Sequence, residues 1–406
     1  MVFGGYTVAR DPAGAVVLVK GALPGETFTA HITTKKGVRF GTVATVLEAS
    51  PHRVSAPTHP GLDYGHIAYE QQLVYKQDVF ADSVRRIREA FPEHIPITRS
   101  PNEWHYRNTV QPAVLRREGL GYRAPGTHDI QVLPSDPVAF PALNTAWALL
   151  AGRVRSLGGV REVVLRSNRV GDTLVAFVAT EPARNYHALA HELVQHGVAG
   201  VSYAPFDPRG RFRGGAERLA GARTISETHG AFTVAMNAHA FTQVNPGAAD
   251  TLYARVAELV PAGRRALELY AGTGVLGMHV AHQFTHVDAF EIDRSATTRG
   301  QRAAAAAGID NMAFHTGDVA KFAAQFTDAD VIIVDPPRAG LAGPVRAAIT
   351  ASRASDLLYV SCDPATFARD SAEFLANGWQ VAHAELFDFF PQTHHVEVVA
   401  LLQRTT

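Results

Sequence analysis

Leu267-Glu268-Leu269-Tyr270-Ala271-Gly272-Thr273-Gly274-Val275-Leu276-Gly277 reads as a buried strand, a glycine turn and the opening of a helix. Gly272 and Gly274 have no Cβ, so the backbone there can close on a ligand. Gly272-x-Gly274-x-x-Gly277, with Glu291 further along, also satisfies the dinucleotide fingerprint, whose acidic residue lies about 20 residues on. The glycines alone therefore leave NAD and S-adenosylmethionine both open. With either cofactor, Glu291, at the end of the next strand in Phe290-Glu291-Ile292-Asp293, is placed to accept from two ribose hydroxyls. Asp318, in Thr316-Gly317-Asp318, is placed to accept from the adenine amino group.

Outward from this turn, apolar runs and helical stretches alternate. Candidate strands cover 266–270, 287–292, 312–315, 331–334, 357–360, 380–387 and 396–402. The first five each precede a helical stretch, which predicts a doubly wound, mainly parallel α/β sheet. The last two follow one another directly, as an antiparallel edge pair would. Seven strands so arranged suit the Rossmann-like class I methyltransferase fold.

Two further loops fall at carboxyl ends of these strands, where such sheets place their chemistry. Asp335-Pro336-Pro337-Arg338 follows the run 331–334, and its prolines stiffen the loop that carries a carboxylate and a guanidinium. That loop favours methyl transfer over hydride transfer. Amino-methylating enzymes carry a related Pro-Pro loop followed by an aromatic residue; Arg338 stands there instead. Tyr359-Val360-Ser361-Cys362-Asp363-Pro364 places the chain's one cysteine between a strand and the helix 365–377. A helix N-terminus at that point would favour a thiolate, against the plainer reading of Cys362 as a small buried apolar residue. His394-His395-Val396-Glu397 ends the set. The two-residue spacing puts His395 and Glu397 on one face of a strand, with His394 as a solvent-facing strand end, and no third ligand group supports a metal.

The rest of the chain has the composition of a globular protein, 46% hydrophobic and 19% charged over 406 residues. No stretch approaches the roughly 18–20 apolar residues of a membrane span, and no secretory signal is evident. One cysteine permits no internal disulfide, which fits a reducing cytoplasm. Formal charge is zero, yet residues 1–250 hold 26 Lys and Arg against 21 Asp and Glu, and residues 251–406 hold 12 against 17. That slight asymmetry would seat an anionic partner on the front half.

Residues 1–50 predict a small β-barrel of the oligonucleotide-binding kind, with Lys20, Lys35, Lys36 and Arg39 available to phosphate. Residues 51–64 read as a linker, and 71–91 as an amphipathic helix with Leu73, Phe80, Val84, Ile87 and Phe91 on one stripe. A mixed α/β stretch follows to 236, its topology open. Within it 207–223, with Arg209, Arg211, Arg213, Arg218 and Arg223, reads as a mobile loop. The expected units are 1–52, 53–236 and 237–406.

These motifs, in this order, resemble the RNA uracil-5 methyltransferases nearly end to end. Gly21-Ala22-Leu23-Pro24-Gly25-Glu26 looks like the TRAM barrel hallmark. Ser50-Pro51-x-Arg53-Val54, His66-x-x-Tyr69-x-x-Gln72-Leu73-x-x-Lys76 and Tyr106-Arg107-Asn108 resemble the linker, helix and central signatures. Phe241-x-Gln243-x-Asn245 and Phe390-Pro391-Gln392-Thr393-x-His395-x-Glu397 flank the loops quoted above. The resemblance implies Cys362 as nucleophile and Glu397 as base. It implies Gln243, Tyr270, Glu291 and Asp335 around the S-adenosyl-L-methionine and base pocket, which Gly272, Gly274 and Asp318, read above from the residues, join on the cofactor side; Gln243, Arg338 and His395 are expected around the uracil. It also implies an RNA partner, ribosomal ahead of transfer RNA because of the barrel, and a helix 71–91 packed on the catalytic unit. Val275 departs from the Asn or Thr usual in relatives. Many members carry four cysteines for an iron–sulfur cluster; none precedes Cys362 here, so no such cluster is expected. An RNA cytosine-5 methyltransferase would generally use a second cysteine, which the chain lacks, and a non-catalytic RNA-binding protein would have no use for the Cys362–Glu397 pair.

Overall fold

The computed structural model describes residues 1–405 apart from 125, 126 and 211; Arg211 of the arginine-rich stretch thus lies outside the described residues. The C-terminal apolar runs form β1 (Gly263–Leu269), β2 (Phe284–Glu291), β3 (Met312–Thr316), β4 (Val331–Val334), β5 (Asp356–Ser361), β6 (Trp379–Phe387) and β7 (Glu397–Arg404). They pair in the order β3-β2-β1-β4-β5-β7-β6, and the upstream strand Ile97–Thr98 adds beside β6. The first five strands are parallel, and β7 runs antiparallel to both neighbours. The expected antiparallel pair lies at one end of the sheet, with β7 between β5 and β6 and the two-residue strand Ile97–Thr98 beyond β6.

Alternate residues of the central strands face two cores. Leu267, Leu269, Ile332, Val334, Leu357 and Tyr359 pack on one side, and Ala266, Ile333, Leu358 and Val360 on the other. Burial on both faces explains why these strands read as unbroken apolar runs. Helices α1 (Val275–Val280), α2 (Arg294–Ala306), α3 (Gly343–Ala351) and α4 (Pro364–Leu375) follow β1, β2, β4 and β5, with a 3-10 segment Val319–Phe326 after β3.

A second sheet is built from Glu217–Gly221, Gly200–Pro205, Thr173–Ala179, Val160–Ser167, Ala113–Leu115, Gly119–Arg123 and Ile130–Val132, in that order. Part of the expected loop 207–223 is therefore an edge strand, because Leu219 and Ala220 are buried against the sheet. The short strands Thr109–Val110 and Ala113–Leu115 are separated at Pro112, which has no N–H to give a ladder. The N-terminal strands Thr7–Arg10, Val16–Lys20, Thr27–Lys35 and Val38–Glu48 form a four-stranded sheet, the second parallel to the fourth. No helix among the described residues is long and apolar enough to cross a membrane.

The helix Tyr69–Ser83 lies against the C-terminal unit, continuing as a 3-10 turn over Arg85–Ala90. The Phe80 and Phe367 rings are 6.0 Å apart. Lys76, fully buried, donates from Nζ to Asp388 Oδ1 at 2.5 Å and to the Phe390 carbonyl at 3.0 Å.

Candidate active site

Strand register assembles the site. Ser361 of β5 is opposite Val398 of β7, antiparallel, so one step further sets Cys362 opposite Glu397. Val334 of β4 is level with Leu269 of β1 and Tyr359 of β5, which brings Tyr270 and Asp335 to the same carboxyl edge. Gln243 arrives from a segment tied down by Asn108, whose Nδ2 donates to the Gln243 carbonyl at 3.2 Å and whose N–H donates to Val244 O at 2.8 Å. Its own Nε2 donates to Asp335 Oδ2 at 3.4 Å.

Electrostatics tie four of these groups together. The half-buried Cys362 thiol is pushed up to about 12, first by burial and then by the carboxyls of Glu397 and Asp335, with Arg338 opposing. Glu397, 5% exposed, is held well above the usual carboxyl range by burial and by Asp335, again against Arg338. Burial raises Asp335 to about 7. The expectation of a thiolate favoured by the helix N-terminus is corrected. Asp363, not the sulfur, occupies the cap of α4, accepting from Ala365 N at 3.0 Å and Thr366 N at 2.9 Å. Desolvation then dominates at Cys362.

His395 is brought in by the C-terminal loop rather than by a strand, since β7 begins at Glu397. His395 and Glu397 therefore do not share a strand face. The His395 ring lies 4.1 Å from that of His394 and 5.9 Å from that of Phe390. Burial, then His394 and Arg338, pushes it down to about 3, so it is neutral. His394 is not a solvent-facing strand end: its ring Nδ1 is 2.6 Å from Asp63 Oδ2 and its N–H donates to Asp63 Oδ1 at 3.0 Å. Arg338 sits exposed on the loop above, its charge felt at Cys362, Glu397 and His395.

On the other side of Asp335 is the glycine turn. Tyr270, Gly272 and Gly274 all have positive φ, +63°, +57° and +71°. A Cβ on Gly274 would meet the Phe314 ring at 2.6 Å, so only glycine fits. Gly272 N donates to Glu291 Oε2 at 2.9 Å, and Asp293 N to Glu291 Oε1 at 2.8 Å. Each of those oxygens keeps lone-pair capacity for a ligand hydroxyl. Asp318 is exposed, caps the following 3-10 segment through Ala320 N at 3.0 Å, and is close enough to raise the Tyr270 phenol after burial has done so. All eleven candidate residues thus line one edge of the sheet, in two neighbouring groups either side of Asp335. Among the described residues no cluster of metal ligands occurs.

Three residues carry features that motif reading passed over. Glu268 is 4% exposed beneath the glycine turn, pushed up to about 8 by burial, with no partner for Oε2. A carboxyl inside the apolar run Leu267-Glu268-Leu269 was the available signal. Phe241, 78% exposed, and Ile292, 71% exposed, are bare apolar side chains next to Gln243 and Glu291; only the structure shows that they are uncovered.

A sheet in this order, with a glycine turn after its first strand and chemistry at its carboxyl edge, defines a class I methyltransferase. A model of the tRNA (Uracil-5-)-methyltransferase family matches residues 224–405. The chain is 31% identical over 432 residues to an uncharacterized RNA methyltransferase of Halalkalibacterium halodurans, covering 98% of this chain and 94% of that one. It is 31% identical over 416 residues to one of Thermosynechococcus vestitus, covering 95% and 93%. The crystal structure of Pyrococcus abyssi tRNA (uracil-54, C5)-methyltransferase in complex with S-adenosyl-L-homocysteine has the same fold, with a TM-score of 0.81, 24% identity, and 98% and 100% coverage. The chain belongs to the RNA uracil-5 methyltransferase family.

Proposed function

We propose that this enzyme methylates C5 of one uridine in RNA through a transient bond between Cys362 Sγ and C6, with S-adenosyl-L-methionine as donor. The observation that carries the reading is the β5–β7 register, which sets the only cysteine opposite a buried carboxyl. The donor's fit rests on the glycine turn at Gly272 and Gly274, the Glu291 carboxylate beside it, and Asp335 between turn and thiol. When bound it supplies an electrophilic methyl group.

C5 of uracil is too weak a nucleophile to take that methyl unaided. The thiol gives its proton to solvent as Sγ adds to C6, and the C5–C6 electron pair moves onto C5 and the O4 carbonyl. C5 would accept the methyl of a bound donor, which would leave as S-adenosylhomocysteine; Glu397 removes the C5 proton, the double bond re-forms and Sγ departs. Glu397 must therefore be ionised at the elimination step, and Arg338 is the cation that opposes its burial. Gln243 reads the uracil amide edge, and the neutral His395 offers a hydrogen bond without a charge. The base must leave its stack to enter, so the target is unpaired or flipped.

In the same reading the chain divides into units 1–52, 53–236 and 237–406, the first acting as a TRAM-like RNA-binding module. A TRAM-like module favours ribosomal RNA. Transfer RNA is the second reading, because the full-length fold match is to an enzyme of that substrate. Nucleoside mass mapping of both RNA pools with and without the gene assigns the uridine. Methyl transfer to uracil-containing RNA retained by Cys362→Ala would rule out the covalent route.

A further inference from the structure

We propose that Arg166 and Arg299 form a buried site for a phosphate oxyanion, filled in the working complex by a backbone phosphate of the RNA. The assignment to RNA rests on the function proposed above; the anion site does not. Arg166 lies on the strand Val160–Ser167, on the face it shares with Val164. That face packs on Ile225, Met236 and Ala238, at the seam between the central sheet and the C-terminal unit. Arg299 comes from α2, which packs on the strand Phe232–Met236, close enough for Arg166 to feel its charge.

Both guanidinium groups are enclosed, at 4% and 8% exposure. Nε and Nη1 of Arg166 and Nε and Nη2 of Arg299 have no hydrogen-bond partner. Arg299 Nη1 donates to Ser295 Oγ at 2.5 Å. Among the described residues neither arginine forms an ion pair; Asp293 is the acid felt by Arg299, and Arg166 feels none. Burial, then the field of Arg299, lowers Arg166 to about 10, which still leaves it charged at neutral pH. His239 completes the cluster, its Nε2 3.1 Å from Ser202 Oγ, and it is lowered to about 4 by burial and by the two arginines.

Two like charges buried together with unsatisfied N–H groups are costly unless an anion joins them. Planar guanidinium forks match phosphate oxygens in geometry and charge. The cluster also lies behind the segment that presents the substrate side of the site. Ser167, next to Arg166, donates its N–H to Asn108 O, and Asn108 holds Gln243 and Val244. His239 is followed by the bare Phe241 and then Gln243. A phosphate held here would flank the nucleotide whose base enters the pocket.

The test compares the full chain with Arg299→Met, and with Arg166→Met should the first variant not fold; S-adenosylhomocysteine binding serves as the folding control. Inorganic phosphate should raise the thermal midpoint of the wild type above that in chloride of equal ionic strength, and should not raise that of the variant. RNA affinity at low salt should fall about tenfold in the variant, and the slope of log K against log salt should become shallower by about 0.7, one phosphate contact on a single strand. A phosphate-dependent midpoint with unchanged RNA affinity and slope overturns the RNA assignment in favour of free phosphate. No phosphate effect and no change in RNA binding overturn the site itself. A wild type that fails to methylate RNA sinks the proposed function while leaving the phosphate measurement decisive for the site.

Discussion

Cys362 is held as a thiol, and because it is the only cysteine its ionisation can be read directly from alkylation. Its folded value is raised by burial and by two carboxyls, so the reactive thiolate is scarce at neutral pH and grows as pH rises. The iodoacetamide rate should climb steadily from pH 7 to 10 without the plateau near 8.5 of a free cysteine. Removing a neighbouring negative charge lowers the thiol, so Glu397→Gln should alkylate roughly three- to tenfold faster at pH 9. A plateau below pH 8 would contradict the burial argument. The same substitution removes the base proposed for elimination, so a Cys362–RNA adduct should persist on a denaturing gel with Glu397→Gln and be scarce in the wild type. No adduct from a folded variant would count against that role.

Among elements, the glycine turn and the helix Tyr69–Ser83 show how differently local and distant determinants read. The turn is visible in eleven consecutive residues, since strand, glycines and helix start are neighbours in sequence. Gly274→Ala should abolish S-adenosylhomocysteine binding, because φ of +71° and a ring 2.6 Å from the new Cβ exclude the native turn; a calorimetric titration with wild-type affinity would refute this. The helix's apolar stripe was legible at Leu73, Phe80 and Val84, all buried. Its polar anchors were not, for Lys76 finds Asp388, and Gln72 finds Gln392, more than 300 residues away. Lys76→Met leaves the Asp388 carboxylate buried without its cation and should cost about 3–5 kcal/mol. Adding Asp388→Asn should recover part of that loss. Urea midpoints of the two variants check both statements. The central sheet was illegible for a related reason: strands of two or three residues, such as Thr109–Val110 and Ala113–Leu115, carry too little pattern to reveal partners about fifty residues on.

At the scale of the whole molecule, the N-terminal sheet and the catalytic loop are joined through one carboxylate. Asp63, in the stretch that read as a linker, accepts from Lys20 Nζ at 3.0 Å, from His394 N at 3.0 Å, and lies 2.6 Å from His394 Nδ1. Lys20 ends the second N-terminal strand; His394 adjoins His395 and stands three residues before Glu397. Although burial alone would raise it, His394 and Lys20 hold Asp63 down to about 2. A carboxylate lowered from near 3.9 contributes its stability above that pH and loses it as pH falls towards 2. The joint is therefore fully formed at neutral pH and fails only in acid. Asp63→Asn keeps the shape but removes the charge that orders His394, and with it the approach of His395 and Glu397 to the thiol. Turnover should fall about tenfold, with S-adenosylhomocysteine affinity unchanged because the glycine turn lies on other strands. The stability lost by the wild type between pH 4 and 2 should shrink in the variant, since the titrating group is gone. Steady-state kinetics beside acid unfolding separate these effects; a variant with wild-type turnover and an unchanged acid limb would show that the N-terminal sheet reaches the catalytic loop without influencing it.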